Sequence, residues 1–495
     1  MSATDPSVVA LAQRLRAGAE ALLDTPVAPQ ADPARDADAT MSALVDHLRT
    51  TRDARTAWLL LTVTAGAFPR ADTVRRLLRT AELEDATSVR LQLLDDAHAL
   101  RPGGTGGSPH VVVERRVIVD VDSVARSDFH NGIQRTVREV VRAWRTRGHD
   151  VVLAAWTDGA TALRTLDEDE EHRTARWGDA PAVQDEASHD AGPTLIVPWR
   201  TTVVLGEVPL ADRCERLAPL AELSGNRVVG IGYDAIPVLS ADLRPLGEPN
   251  GYAAYLTVVK HAARIAAISA SAGEEFAGFV DALAAQGLSG PAVDVVPLPA
   301  TVPAAPTGYA RTEPARPVVV SLGRLEPHKN QGALLHAAIR LWREGLDFEL
   351  HLVGGPGWDT SRVDRQVERA QAEGHPLLRH TGVGDTELWT MLRDASFTVF
   401  LSLHEGYGLP VAESIACGTP VLTAAYGSQA EIAAAGGCLT VDPRDDEAVL
   451  EALRRMLTEP GLLTRLRREA SDAPTSSWSG YADRLWDALI EEAQR

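Results

Sequence analysis

Two α/β halves preceded by an all-helical region make up the fold class this sequence predicts, and three observations predict it. Residues 1 to about 100 are rich in Ala, Leu and Arg at helical spacing. From about Val111, short β-branched runs alternate with loops and helix-like stretches, the pattern of a parallel sheet. A stretch rich in Pro, Ala and Thr, Ala300 to Ala315, reads as a linker, and a second series of the same kind begins at Pro317. A chain of 495 residues is also too long for one core, so two or three domains are expected.

In the first hundred residues, Asp5-Pro6 has the form of a helix cap followed by proline in the first turn. Further helices are expected near 40–51, 54–67, 71–82 and 86–98. The apolar run Thr56 to Phe68 is too short to span a bilayer and stops at Pro69. No catalytic grouping stands out here, and an accessory or interaction role is expected. The Gly-rich segment Arg101 to Pro109 reads as a flexible linker.

The first βαβ unit is Arg116 to Asp120, a loop with Asn131-Gly132, a helix from Ile133 to Arg147, and a strand from Val151 to Ala155. More strands are expected at Thr194–Pro198, Arg227–Ile231, Ile265–Ser269 and Val293–Val296. The acidic stretch between Asp158 and Gly192 is expected to be a solvated surface insertion. In the second half, strands are expected at Pro317–Ser321, Phe348–Val353, Phe397–Leu401 and Pro420–Ala424. Ligands of such open sheets bind at the carboxyl ends of the strands, so the chemistry should lie in the loops there.

Composition excludes several classes of function. With 68 acidic against 49 basic residues and a net charge of -19, the chain lacks the basic footprint of a nucleic-acid binder. Three cysteines (Cys214, Cys417, Cys438) make neither a disulfide framework nor a zinc site, and a reducing cytoplasm is expected. The first residues lack the basic and apolar regions of a signal peptide. No basic amphipathic helix argues for more than peripheral contact with the inner membrane face.

The strongest motif runs from Leu403 to Ser414, in the loop after a strand. Gly406 and Gly408 let the backbone approach a ligand, and Pro410 suits the first turn of the following helix. A helix amino terminus behind a glycine turn suits phosphate. Glu405 and Glu413 lie eight residues apart and can face one ligand from two sides, where carboxylates would accept hydrogen bonds from sugar hydroxyls. Alone, Glu413 would be an ordinary acid near a helix start and Glu405 an exposed loop charge. The second motif, Ser321 to Asn330, carries Gly323, Arg324 and Lys329 just past a strand, where cations would stabilise a departing diphosphate without a metal. An isolated Arg–Lys pair would otherwise be surface charge. The glycine turns at 354–357 and 382–384 could also touch a nucleotide.

These residues resemble the donor-binding domain of retaining glycosyltransferases of family 4, which have the GT-B fold. The resemblance runs from about 317 to 445 through Gly323-Arg324, His328-Lys329-Asn330, Glu405 to Pro410 with Glu413, Gly418-Thr-Pro420, and Ser428 with Glu431. Asn131-Gly132-Ile-Gln-Arg135, Gly148 to Val151 and Tyr233 to Pro237 are more loosely similar to bacterial mannosyltransferases of polysaccharide assembly. The helical region, at 1–105, lies outside the resemblance, which implies three parts after it: an acceptor-side Rossmann-like domain at 111–312, a donor domain at 313–475, and a helix at 476–495 crossing back to the acceptor side. It implies that Arg324 and Lys329 bind the diphosphate of a GDP- or UDP-linked donor, with Gly323 beside them. Glu405 and the segment Gly406, Tyr407, Gly408 and Leu409 would contact sugar and phosphate, Glu413 the ribose, and Val383 the base. Gly132 would border the diphosphate from the other domain, and no metal or other cofactor is implied. Asp234 would orient acceptor or donor sugar where many members have a histidine, or would cap a loop; His130 is a further site candidate.

The function expected is transfer of a hexosyl group, mannosyl among the possibilities, to a carbohydrate, lipid-linked or protein acceptor. Two alternatives stand beside it: a GT-B epimerase or phosphorylase, and a non-catalytic nucleotide-sugar-binding or partner subunit working or self-associating through residues 1–105.

Overall fold

The computed structural model describes residues 5–100, 111–128, 131–178, 194–311, 314–474 and 476–491. The segments 101–110 and 129–130, with the expected linker and His130, lie outside the described residues.

Five helices open the chain: α1 (Pro6–Leu22), α2 (Pro33–Thr51), α3 (Ala54–Ala65), α4 (Ala71–Leu83) and α5 (Ala86–Ala99). Aspartates start four of them, and the Asp5 carboxylate accepts from the Ser7 amide as the sequence predicts. The helices do not form a separate core. Leu15, Leu44, Trp58 and Leu59 are buried in one cluster with Trp156, Leu163, Leu195 and Leu217 of the following domain. Phe68 bridges the two, with its ring 5.3 Å from Trp58 and 5.8 Å from Trp156. Each such fully buried large side chain contributes about 1.5–3 kcal/mol, so α1–α5 and the first sheet stabilise each other.

The first sheet holds β1 (Val111–Glu114), β2 (Val117–Asp120), β3 (Val151–Trp156), β4 (Leu163–Thr165), β5 (Leu195–Pro198), β6 (Thr202–Leu205), β7 (Arg227–Gly232), β8 (Arg264–Ala267) and β9 (Ala292–Val295). Their order is β1-β5-β4-β3-β2-β6-β7-β8-β9. Only β4 runs antiparallel to its neighbours. This corrects the expected insertion after Asp158. Part of that acidic stretch is the partly buried strand β4 and a helix, Glu168–Ala175, whose Glu170 is buried against Arg164 at 2.6 Å. The charges look solvated in sequence, but a bidentate arginine partner makes burial possible. Strand β6, central and wholly buried, is too short and too close to β5 to stand out from periodicity.

The second sheet is all parallel: β10 (Val318–Leu322), β11 (Glu349–Val353), β12 (Leu377–His380), β13 (Phe397–Phe400), β14 (Val421–Ala424) and β15 (Cys438–Val441), in the order β12-β11-β10-β13-β14-β15. Strand order reverses between β10 and β13 in this sheet and between β2 and β6 in the first. Loops leaving such a pair of strands diverge and open a crevice, which is where ligands of these sheets bind.

The helix Trp478–Trp486 returns to the first domain, as the resemblance implies. It packs on the helix Gly132–Thr146, where the Trp144 indole donates to the Ala482 carbonyl at 2.9 Å and Tyr481, Leu485 and Leu489 are buried. The two crossing segments are tied together, Thr301 Oγ1 donating to the Ser476 carbonyl at 2.8 Å. Among the described residues no helix is long and apolar enough to cross a membrane.

Candidate active site

The loop after β13 carries Glu405 to the mouth of the second sheet's crevice, and the loop after β10 carries Lys329 to meet it. The Lys329 ammonium is 2.5 Å from Glu405 Oε1, and both side chains are largely buried. Burial by itself would raise the Glu405 carboxyl. The charge of Lys329, its hydrogen bond, the nearby His328 and a hydrogen bond from Ser402 together outweigh burial and hold Glu405 below its ordinary value. The backbone carbonyl of Glu405 accepts from Ser428 Oγ at 2.8 Å, which fixes the loop. His404, Glu405, Tyr426, Ser428 and Gln429 line a cavity of about 220 Å³ here.

Two glycines of this loop are required by geometry. Gly408 has φ of +101°, which disfavours any side chain. A Cβ on Gly406 would lie 2.6 Å from the Tyr233 carbonyl oxygen and 2.8 Å from Asp234 Oδ2. Only glycine therefore lets the donor-side loop touch the first domain's Tyr233–Asp234 segment. Ser269 Oγ donates to the Gly406 carbonyl at 2.6 Å, and the Tyr407 hydroxyl donates to the Leu298 carbonyl at 2.6 Å, fastening the same loop across the cleft.

The helix Leu409–Ala416 starts directly behind Gly408, with Pro410 in its first turn. Opposite it starts the helix Gly132–Thr146, capped reciprocally by Asn131 and Gln134. A Cβ on Gly132 would be 3.1 Å from Leu409 Cδ1, so the two amino termini converge on one space. Glu413, one turn inside its helix, is buried and accepts from Arg135 of the facing helix at 2.5 Å. Burial raises the Glu413 carboxyl, and the opposing pull of Arg135 only partly offsets it.

The remaining expected residues divide. Asp234 faces Gly406 and, through Oδ1, also accepts from the Ile236 amide at 3.1 Å, so it is both a cap and a cleft residue. Burial, and then the charge of Glu275, push its carboxyl up to about 6. Gly323 has φ of +135° and begins the loop that ends at Lys329. Arg324 follows Gly323 in the same loop, with its guanidinium 3.6 Å from Glu326. It is about half exposed and donates to the Pro356 carbonyl at 3.0 and 3.2 Å. In the turn Gly354–Gly357, a Cβ on Gly354 or Gly357 would lie 2.1 Å from the carbonyl oxygen of Gly323 or Leu325, while one on Gly355 would meet nothing within 4 Å. Val383, in the loop after β12, is partly buried against the cluster of Val320, Val353, Leu392 and Ala395.

Sequence reasoning missed a relay across the cleft. His404 Nδ1 is 2.8 Å from Ser240 Oγ, and its Nε2 is 2.6 Å from Glu275 Oε1. Burial pulls the imidazole down, but Glu275 outweighs it and holds His404 above its ordinary value. Arg135 lay inside a stretch singled out by resemblance, yet nothing in one dimension pairs it with Glu413, 278 positions on. Among the described residues, no group of three or more His, Cys, Asp or Glu is placed to hold a metal ion.

Two α/β sheets with their switch points turned to one cleft, joined by a linker and a returning helix, define the GT-B class. Comparison with known proteins agrees with that class. Residues 311–473 match the family of glycosyl transferases group 1. The serotype-specific mannosyltransferase WbdA of Escherichia coli is 24% identical over 378 residues, covering 70% of this chain and 45% of that protein. The O-antigen chain mannosyltransferase B of Escherichia coli is 35% identical over 130 residues, 26% of this chain and 33% of that one. The chain spans less than half the length of these curated relatives. Among solved structures, Anabaena HepE in complex with UDP and glucose superposes with a TM-score of 0.51 at 13% identity, covering 76% of this chain and 99% of that one.

Proposed function

We propose that this chain is a retaining, metal-independent glycosyltransferase that moves a hexosyl group, mannosyl in our reading, from a GDP- or UDP-linked donor to a glycan-type acceptor. The observation that carries the reading is the Lys329–Glu405 pair, set at a switch point between two converging helix amino termini. The glycosyl transferases group 1 match supports transfer, and the mannosyltransferase relatives support the sugar. Retention, the donor base and independence from metal follow from the family resemblance alone.

In this reading the donor diphosphate lies alongside the amino termini of the helices Gly132–Thr146 and Leu409–Ala416, where backbone N–H groups and the helix dipoles favour negative charge. As the bond from the anomeric carbon to the phosphate oxygen breaks, its electron pair leaves with the diphosphate. Lys329 then stabilises the charge that develops. Exposed Arg324 turns from Pro356 to add a second cation. Glu405, kept ionised by Lys329 while the site is empty, accepts hydrogen bonds from sugar hydroxyls. Glu413 exchanges Arg135 for the ribose hydroxyls, and Asp234 orients a sugar from the acceptor side.

The test is binding of a panel of nucleotides and nucleotide sugars to the full chain and to its Lys329→Ala variant, followed by turnover with and without chelator. One GDP- or UDP-sugar should bind, the variant should lose it, and Glu405→Ala should lower turnover more than binding. NMR of the product should show the donor's anomeric configuration. Binding of no nucleotide, or a loss of turnover on chelation that Mn²⁺ restores, would overturn the corresponding part.

A further inference from the structure

Behind the relay lies a second, larger cavity of about 580 Å³, inside the first domain and distinct from the donor crevice. It sits within the size range of small-molecule sites. Its walls are apolar: Val238 and Leu239 come from the helix Ile236–Leu239, Tyr252 and Leu256 from the helix Glu248–Val259, and Phe276 and Phe279 from the helix Ala270–Ala284. Gly278 forms part of the rim, and a Cβ built there would meet nothing within 4 Å.

The polar end of this cavity is the wall it shares with the cleft. Ser271 lines both cavities. Glu275 lines the apolar one while its two oxygens hold His404 Nε2 and the Ala235 amide, each at 2.6 Å. A ligand filling the cavity therefore ends, on this side, one residue from Glu405. Leu239, on the cavity wall, is 60% exposed, and Leu246, in the loop before the helix Glu248–Val259, is 99% exposed. Apolar side chains leading outward from an apolar cavity suit a chain longer than the cavity itself, whereas a compact aglycone would need neither.

We propose that this cavity binds an alkyl chain carried by the acceptor, so that the acceptor is an amphipathic glycolipid whose sugar end lies at His404 and Glu275 and whose hydrocarbon runs past Phe279 and Leu239. The inference rests on the transferase reading for the identity of the sugar end. The hydrocarbon needs only burial, which is non-directional and grows with each methylene removed from water. Glu275 then has two tasks, holding His404 in the cleft and closing the apolar cavity with a polar rim.

The experiment is calorimetric binding of methyl, butyl and octyl α-mannosides, below micelle formation, to the full chain and to Gly278→Trp and Val238→Trp. These variants fill the cavity from two of its helices and replace none of the residues given a role in transfer. In the parent chain affinity should rise with alkyl length, octyl exceeding methyl by at least about tenfold. In both variants the gain should fall to about twofold or less, with GDP or UDP binding unchanged. A melting curve like the parent's identifies each variant as folded, and either one alone suffices. Equal affinity for all three glycosides, absence of binding, or a length dependence that survives both variants would overturn the proposal. Nucleotide binding without a length dependence would sink this inference alone, and a length dependence without nucleotide binding would sink the transferase reading alone.

Discussion

The two sheets open the same kind of crevice at their switch points and fill it with opposite electrostatics. Between β10 and β13 a carboxylate lies against a lysine, and Glu405 stays ionised although buried. Between β2 and β6, Asp120, Asp122 and Glu207 crowd together; Arg126 and Arg213 pair with Asp122, and Arg138 feels the charge of Glu207. Burial, then the charge of Asp122, push the Asp120 carboxyl up to about 7; burial, then the charge of Asp120, push Glu207 up to about 8. These acids do structural work. Glu207 accepts from the Ser123 and Val124 amides at 2.8 Å, and Asp120 accepts from the Trp156 indole at 2.9 Å. On the proposed reading, a crevice for a charged ligand keeps its charges paired, ionised and exchangeable. One that anchors its own loops tolerates protonated acids.

The largest effect should come from Lys329→Ala. It leaves Glu405 buried without its cation, at a cost of about 3 kcal/mol in stability beyond the loss of donor binding. Calorimetric melting checks the first and titration with nucleotide sugar the second. Adding Glu405→Gln should recover the stability and not the binding. An unaltered melting temperature in the single variant would show that the pair does not distinguish the two crevices.

Glu413→Gln should weaken nucleotide binding about tenfold, the scale of a hydrogen bond to a charged group. Turnover at saturating donor should change less, because the ribose is far from the bond that breaks. A fall in kcat with constant KM would argue for a different task.

The smallest effect concerns the acid cluster. Asp120 and Glu207 hold protons in the folded chain that the unfolded chain releases near pH 4. Between about pH 4 and the folded values the unfolded state binds fewer protons, so stability falls as pH rises. Asp120→Asn keeps an acceptor for Trp156 and should flatten that fall between about pH 5 and 8, read as melting temperature against pH. An unchanged slope would mean that Asp120 is ionised when folded, as Glu405 is.

Most of the donor half was legible in the sequence because its parts are local. β-Branched runs, glycines at forced turns and a proline in a first turn state their own conformation, and Gly406, Gly408, Lys329 and Glu405 lie within a few residues of strand ends. The Pro327–Asn330 segment and the helix Leu409–Ala416 follow from that grammar. The acceptor half was less legible. β4 and β6 are too short for periodicity to mark, and the apparent surface charge of Glu170 depends on Arg164 folding over it.

By itself, then, the sequence determined the class of fold, the order of its parts and the loops that carry charge, since these rest on backbone preference and hydrophobic period. Only the tertiary structure decided that α1–α5 share a core with the first sheet, that Arg135 meets Glu413, that His404 spans to Glu275 and Ser240, and that Arg324 donates to the Pro356 carbonyl. The reason is physical. Pairing, burial and the ionisation they set depend on which surfaces meet in space, and residues hundreds of positions apart carry no local signal of the partner they will find.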